Sequence, residues 1–306
     1  MFNWLKRQDI DVKKWDECIL QSSQKLIYGL SWYLDTVSPQ WEALVKIENE
    51  KYVAVLPLTI RKKFGISYLV QPFFTQQLGL YSASTSARDF NFLLNEILSK
   101  YLFINYNFNY GNNLSVKSVP DKSIIKERTT YVLSLHSSYA QLTGQYSVNH
   151  KRNIKKALRS GVSVREGNEF TEVVDVFRRT KGGEVSELKE EHYENLFEIY
   201  EACKKRGCQK LYIAVDRNNK ILAGGLFLFF GNRIIYLFGA SSAEGKEHSA
   251  MMLLFDEIIK KYSDTEYLLD FEGGEISGIG RFYRGFGGVP VQYYRISVSK
   301  IPFISI

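Results

Sequence analysis

Cysteine is scarce in this chain. Cys18, Cys203 and Cys208 are the three in 306 residues, an odd number without metal-type spacing. That excludes a disulfide scaffold and a zinc ribbon, and it points to a reduced, cytoplasmic setting. The opening stretch MFNWLKRQDIDVKKWDE lacks an apolar core of signal-peptide length. The longest apolar run, Ile221 to Phe230, is about half of what a membrane-spanning helix needs, so no span is expected. His136, His150, His192 and His248 are scattered, with no Cys/His/Asp grouping around them, so no metal site is expected. There is no G-x-S-x-G elbow and no P-loop spacing, which argues against a serine hydrolase and a Walker nucleotidase. Charge of one sign is only mildly in excess: a net +7 permits a polyanionic partner without requiring one.

Apolar residues are plentiful. A hydrophobic content of 45% with 14% aromatics supports a sizeable core and excludes a disordered chain. In the second half, Tyr193–Arg206 places Leu196, Tyr200 and Cys203 on one helical face. Three strands follow, Leu211–Val215, Ile221–Phe230 and Arg233–Phe238, separated by Asp216–Lys220 and Gly231-Asn232, as in an antiparallel meander. A helix then carries Met251, Leu254, Phe255, Ile258, Ile259 and Tyr262 on one face, and Tyr267–Phe271 reads as a closing strand. The first half repeats the order: strands Glu42–Ile47, Tyr52–Ile60 and Ile66–Val70, a helix Asp89–Tyr101, and a strand Phe103–Phe108. Corresponding elements recur about 165 residues apart, too long a period for a solenoid. The chain therefore reads as two copies of one α/β (α+β) unit, residues 1–135 and 136–306, joined near Pro120–Ser138.

The densest chemistry lies in Asp270–Gly288, DFEGGEISGIGRFYRGFGG. It follows a short apolar run and combines Asp270, Glu272, Glu275, Arg281 and Arg284 with repeated glycine, as in a loop that closes on a ligand. A carboxylate at a strand end, Asp270 or Glu272, is the candidate proton acceptor. Tyr283 is the candidate proton donor, and Arg281 or Arg284 a phosphate or carboxylate anchor. Lys151, Arg152, Lys155, Lys156 and Arg159 sit on a basic helix with Ile154, Ala157 and Leu158 as its apolar face and Gly161 as its stop. That helix reads equally as a phosphate-contacting surface or as a solvated face. The loop Gly239–Ser249 links a strand to a helix and offers N–H groups suited to a pyrophosphate or an oxyanion. Gln71, Gln76 and Gln77 are candidates for an acceptor pocket, with an ordinary polar turn as the competing reading.

These residues resemble a known superfamily. The tandem α/β units, the basic N-I-K-K-A-x-x-S-G-V-x-V entry and the D-F-x-G…F-x-x-G-F-G-G ending are similar to the Fem-type aminoacyltransferases and related Fem-like N-acetyltransferases. The resemblance is strongest over residues 145–290. It implies two tandem GNAT-like units, each a mixed, mostly antiparallel sheet flanked by helices, the first on the acceptor side and the second on the donor side. It also implies transfer of an acyl or aminoacyl group to an amine. The donor would be acyl-CoA or aminoacyl-tRNA as co-substrate, with no tightly bound cofactor. The acceptor would be a small molecule or a peptidoglycan precursor, with tRNA a further partner and DNA none.

The chain departs from that pattern in places. The Fem signature reads F-K-x-G-F-G, whereas here Phe282-Tyr283-Arg284-Gly285-Phe286-Gly287 puts Tyr283 at the lysine position. A tyrosine, with a pKa near 10, does not replace a fixed cation. The arginine-glycine-proline turn is Gln71-Pro72 here, and the GNAT pyrophosphate motif R-x-x-G-x-G/A is missing, which leaves the donor open. A non-catalytic binding module for tRNA or a nucleotide- or glycan-linked ligand is the alternative. On the enzyme reading, Asp270→Asn and Glu272→Gln each abolish transfer with the melting temperature nearly unchanged.

Overall fold

The structure, a computed structural model, describes residues 2–63, 65–83, 87–112, 123–182, 188–275 and 277–300. The chain forms two compact units, Met1–Thr129 with Gln292–Ile306, and Thr130–Val291.

The first unit contains β1 (Phe2–Lys6), α1 (Val12–Gln21), α2 (Ser31–Val37), β2 (Glu42–Glu48), β3 (Lys51–Leu58), β4 (Ile60–Lys63), β5 (Ile66–Val70), β6 (Tyr81–Ser82), α3 (Ala87–Lys100) and β7 (Phe103–Phe108). One sheet runs β1-β2-β3-β6. The expected strand Tyr52–Ile60 is interrupted at Thr59, whose hydroxyl donates to the Val70 carbonyl at 2.6 Å, and β4 continues into a hairpin with β5. Trp15 and Trp41, both fully buried, pack at 4.7 Å in the core. The Trp15 indole N–H satisfies the Gly29 carbonyl, so its polar edge is not left unpaired.

The chain passes to the second unit within β8 (Ser123–Ser134). The second unit continues with α4 (Tyr139–Gly144), α5 (Val148–Arg159), β9 (Ser163–Gly167), α6 (Phe170–Phe177), α7 (Glu190–Lys205), β10 (Gln209–Val215), β11 (Ile221–Phe230), β12 (Arg233–Ser241), α8 (Ala243–Glu247), α9 (Ala250–Tyr262), β13 (Leu268–Asp270) and α10 (Ser277–Arg284). The chain returns to the first unit within β14 (Val289–Ser299), which pairs antiparallel with β7 from Tyr294↔Phe108 to Ser299↔Phe103. Where the sequence reading divides the chain at residue 135, the units part after Thr129, and the end of the last strand groups with the first unit. A pairing across nearly two hundred residues leaves no local signal.

The sheet of the second unit runs β8-β13-β12-β11-β10-β9. All its pairs are antiparallel except β12–β13. The unbroken apolar run of β11 follows from cover on both faces. Ala223 lies in the cluster built on α9, while a Cβ on the next residue, Gly224, would meet Val173 of α6 at 2.3 Å. Adjacent residues of a strand point to opposite faces, so α9 covers one side and α6 the other. Helix α9 is held by buried Leu253, Leu254, Phe255, Ile258 and Ile259. Among the described residues, no helix is long and apolar enough to cross a membrane, and no group of His, Cys, Asp and Glu could hold a metal ion.

Candidate functional site

Strands β12 and β13 run side by side only from Arg233↔Leu268 to Ile235↔Asp270. Beyond that point they separate. The cause is visible in the pairing with β11: Phe227 faces Tyr236 but Leu226 faces Phe238, so Leu237 is an extra residue, a bulge that bends β12. A cleft of about 530 Å³ opens where the strands part. The unbroken run Tyr236–Ser241 lines it, as a strand seen edge-on does. Beyond Ile235 this edge pairs with no further strand among the described residues. Phe255, Phe271, Ile279 and Phe282 make the floor and walls apolar.

Glu272 and Tyr283 both line this cleft. Asp270 accepts the Glu272 N–H at 3.1 Å, an Asx turn that sets Glu272 at φ +53. The following residues, Gly273 and Gly274, also have positive φ, which explains the glycine pair there. One carboxylate oxygen of Glu272 is buried without a hydrogen-bond partner. Desolvation pushes the Glu272 carboxyl well above the usual carboxylate range. Tyr283 is buried and stacks on Phe271 at 4.8 Å. Burial raises its phenol well above the ordinary value, helped by Tyr236, Glu272 and Asp270 nearby. A phenol and a carboxyl, both favoured in their neutral forms by burial, thus share one apolar cleft.

Asp270 plays a different part. Its Oδ2 accepts from Arg233 Nη1 at 2.7 Å and its Oδ1 from the Thr130 hydroxyl at 2.7 Å, and the residue is buried. Both oxygens are occupied, so it clamps the closed end of the cleft and orients Glu272.

The stretch Asp270–Gly288, expected as one loop, is half helix. In α10, Ile279, Phe282 and Tyr283 face the cleft, so Arg281 and Arg284 project away from it. Both are exposed, and Arg284 Nη1 donates to the Tyr131 hydroxyl at 2.6 Å. The helix is fixed by α5. His150 bonds the Phe282 carbonyl at 2.9 Å, the Ser147 N–H donates to the Gly285 carbonyl at 2.9 Å, and a Cβ at Gly285 would lie 1.9 Å from the His150 ring.

Helix α5 is basic, as expected. Lys151, Arg152, Lys155, Lys156 and Arg159 are exposed, and none forms an ion pair among the described residues. Lys151 and Arg152 bond only the Gly144 carbonyl and the Asn149 side chain. Ile154 and Ala157 are buried, but Leu158, expected on the apolar face, is exposed.

The glutamines belong to the first unit, where their amides bond one another and the nearby backbone. Gln71 spans the Thr75 carbonyl and the Asn107 N–H, Gln77 accepts the Tyr110 N–H, and Gln76 accepts from Gln77. These bonds hold the turn together.

Two further lining residues, Thr180 and Tyr236, carry no signal of their own in the sequence. Lys246, a lining residue too, lies on α8, inside the Gly239–Ser249 connection that the sequence marks as suited to a pyrophosphate or an oxyanion. The first of α8's turns is signalled by Ser242, whose side chain accepts the Gly245 N–H.

Comparison with known proteins supplies a frame. The acetyltransferase (GNAT) domain family matches residues 146–277. A search of curated proteins found no match. Among solved structures, the chain is similar to FemX, at 14% identity and a TM-score of 0.67, covering 95% of this chain and 96% of that one. It is similar to a tandem GNAT protein from the clavulanic acid biosynthesis pathway, at 12% identity and a TM-score of 0.56, covering 97% and 98%. It is also similar to L-PGS from Bacillus licheniformis, at 10% identity and a TM-score of 0.52, covering 97% and 93%. Residues 146–277 thus match the acetyltransferase (GNAT) domain family, and the chain as a whole shares its fold with FemX and with the tandem GNAT protein.

Proposed function

We propose that the protein is an N-acyltransferase that moves an acyl group from a thioester, an acyl-CoA, to an amine in the cleft between β12 and β13. The observation that carries this reading is Glu272: a buried carboxylate oxygen without a partner, in a cleft shared with a neutral tyrosine hydroxyl. The run Tyr236–Ser241 that lines the cleft suits a pantetheine arm laid alongside it. Lys246, lining the same cleft, suits the phosphate end of that donor.

In the reaction the amine nitrogen attacks the thioester carbonyl carbon while Glu272 takes an amine proton, directly or through one water. The carbonyl oxygen becomes an oxyanion, then the C–S bond breaks and an amide and a thiolate result. Tyr283, neutral because of its raised pKa, donates a hydrogen bond to the oxyanion or the departing sulfur. It need not surrender its proton, because a thiol near pKa 8.5 is a weaker base than a buried phenolate. Glu272 returns the proton through solvent. Holding both substrates in line supplies much of the acceleration, on the order of 7–11 kcal/mol.

A second reading keeps aminoacyl-tRNA as donor, and its acceptor would be a peptidoglycan precursor. The unpaired cations of α5 favour it, since such a face neutralises phosphates. Thermal shift separates the two. Acetyl-CoA at 100 times its dissociation constant adds about 2.7 kcal/mol of apparent stability if the thioester reading is right. Stabilisation by aminoacyl-tRNA alone supports the second, and tRNA binding without turnover of either donor supports a non-catalytic module.

A further inference from the structure

A second groove, of about 660 Å³, adjoins the cleft, and Thr180 lines both. The strand edge joins them too: Ser241 lines the first and Ser242 the second. Where α6 ends, the chain widens into a π-turn over Arg178–Gly182, and the Thr180 hydroxyl donates to the Val176 carbonyl at 2.7 Å. Single π-turns of this kind frequently mark functional sites. The groove has no part in the acyl-transfer chemistry described above.

Its charges decide what it holds. Arg165 is paired with Glu169 at 2.5 Å, and Lys220 with Glu244 at 2.6 Å. Two lining charges are left without an ion pair among the described residues, Glu172 and Arg179. Glu172 lies on α6 and Arg179 in the π-turn that follows it, and both line the groove. A polyphosphate would meet both Glu169 and Glu172, so the phosphate end of a donor is a poor occupant. A ligand carrying one carboxylate and one ammonium satisfies the pair.

Building on the acyl-transfer reading, we infer that this groove is the acceptor subsite. It takes an amino acid or short peptide whose carboxylate is bound by Arg179 and whose spare ammonium lies against Glu172, while the reacting amine reaches past Thr180 to Glu272. An arginine reads a carboxylate through two parallel hydrogen bonds, which makes Arg179 the specificity-determining residue.

The test compares L-lysyl-L-alanine, its C-terminal amide and cadaverine as probes with the full-length protein. Thiol release from acetyl-CoA is followed, and binding of each probe is measured separately by calorimetry without donor. The expected result is at least ten-fold higher kcat/KM for the dipeptide than for its amide or cadaverine. R179Q should remove that preference by raising KM for the dipeptide, with the KM for acetyl-CoA and the cadaverine rate unchanged. E172Q should weaken the dipeptide without restoring the amide. Equal use of all three probes, calorimetry blind to the carboxylate, or an R179Q defect equal for all probes would overturn the proposal. Absence of thiol release with every probe, together with no stabilisation by acetyl-CoA, would instead sink the thioester reading. The calorimetric comparison of wild type with R179Q then still decides the groove.

Discussion

Arg233 and Asp270 form a 2.7 Å ion pair at the place where β12 and β13 part company. Both side chains are almost buried, and Asp270 also receives Thr130 and the backbone of Glu272. Removing one partner of such a pair strands the other charge. Asp270→Asn is therefore expected to cost about 3–5 kcal/mol of stability. Urea denaturation checks this, and an unchanged midpoint would show that Asp270 is free to act as a base. The expectation from sequence, that this substitution leaves the melting temperature nearly unchanged, is replaced by its opposite.

Glu272→Gln should behave in the reverse sense. The folded protein holds the Glu272 carboxyl well above its ordinary value of 4.5. The stability tied to its neutral form is complete below about pH 4.5 and is lost as pH rises through the folded-state value. Glutamine carries no such penalty. The variant should melt higher than wild type at pH 7 and level with it at pH 4, while transfer falls about 10²–10⁴-fold. The wild-type rate should climb with pH as the carboxyl ionises, a limb that the variant lacks. A variant that is fully active at pH 7 would remove Glu272 from the mechanism.

His150 and Gly285 give a pair that can be tested for coupling. Gly285→Ala puts a methyl 1.9 Å from the imidazole, an overpacking expected to cost about 1–3 kcal/mol. His150→Ala opens the space, so the double variant should be less unstable than the sum of the two singles. Burial also holds His150 below its ordinary pKa of 6.5. Its contribution is therefore present above that pH and fades as pH falls below it. Denaturation at pH 7.5 and 5.5 should show a larger loss for wild type than for His150→Ala. Additive singles would mean that the two residues do not touch.

Much of the fold was legible because single elements carry their own pattern. The strands Ile66–Val70, Phe103–Phe108 and Ile221–Phe230 lie where their apolar runs place them, and α9 shows its buried stripe in sequence. Helix α10 did not. Gly278 and Gly280 each cost about 1 kcal/mol in a helix, so SGIGRFYR reads as loop. What overrides that preference is the packing of Phe282, Tyr283 and Phe286 on Phe255, at ring distances of 5.7, 6.3 and 5.8 Å. The role of Asp270 was hidden for a similar reason. Its partners Arg233 and Thr130 are 37 and 140 positions away, and only tertiary structure brings them together. For the glutamines, an amide's type does not reveal which hydrogen bonds it makes within its own turn.

Helix α5 offers a prediction that separates the donors. Lys151→Glu, Arg152→Glu and Lys155→Glu lie on an exposed face and should leave the melting temperature within the range of ordinary surface changes, about 0.5 kcal/mol each. If α5 binds tRNA, affinity falls and the slope of log affinity against log salt becomes shallower, by about 0.7–0.9 for each phosphate that the variants no longer neutralise. Acetyl-CoA binding in the second unit's cleft should be indifferent to the same changes. A triple variant with unaltered tRNA affinity and salt slope would reduce α5 to a solvated face.

Tyr283 is the residue whose replacement reports most directly on the chemistry. Its ring is fixed between Phe271 and Phe255, so Tyr283→Phe preserves the stacking and removes only the hydroxyl. Loss of one preorganised donor in a dry site lowers kcat by about 10²–10³-fold. The KM for acyl donor should hardly move, because the hydroxyl serves charge that develops only during reaction. Tyr283→Lys would place an ammonium in the apolar cleft next to Glu272. There the two groups should pair, bringing the Glu272 carboxyl back toward 4.5 and shifting the rising limb of the rate to lower pH. Steady-state kinetics across pH 5 to 9 on both variants tests this. A Phe variant that loses KM rather than kcat would make Tyr283 a binding residue, with the transition state supported from elsewhere in the cleft.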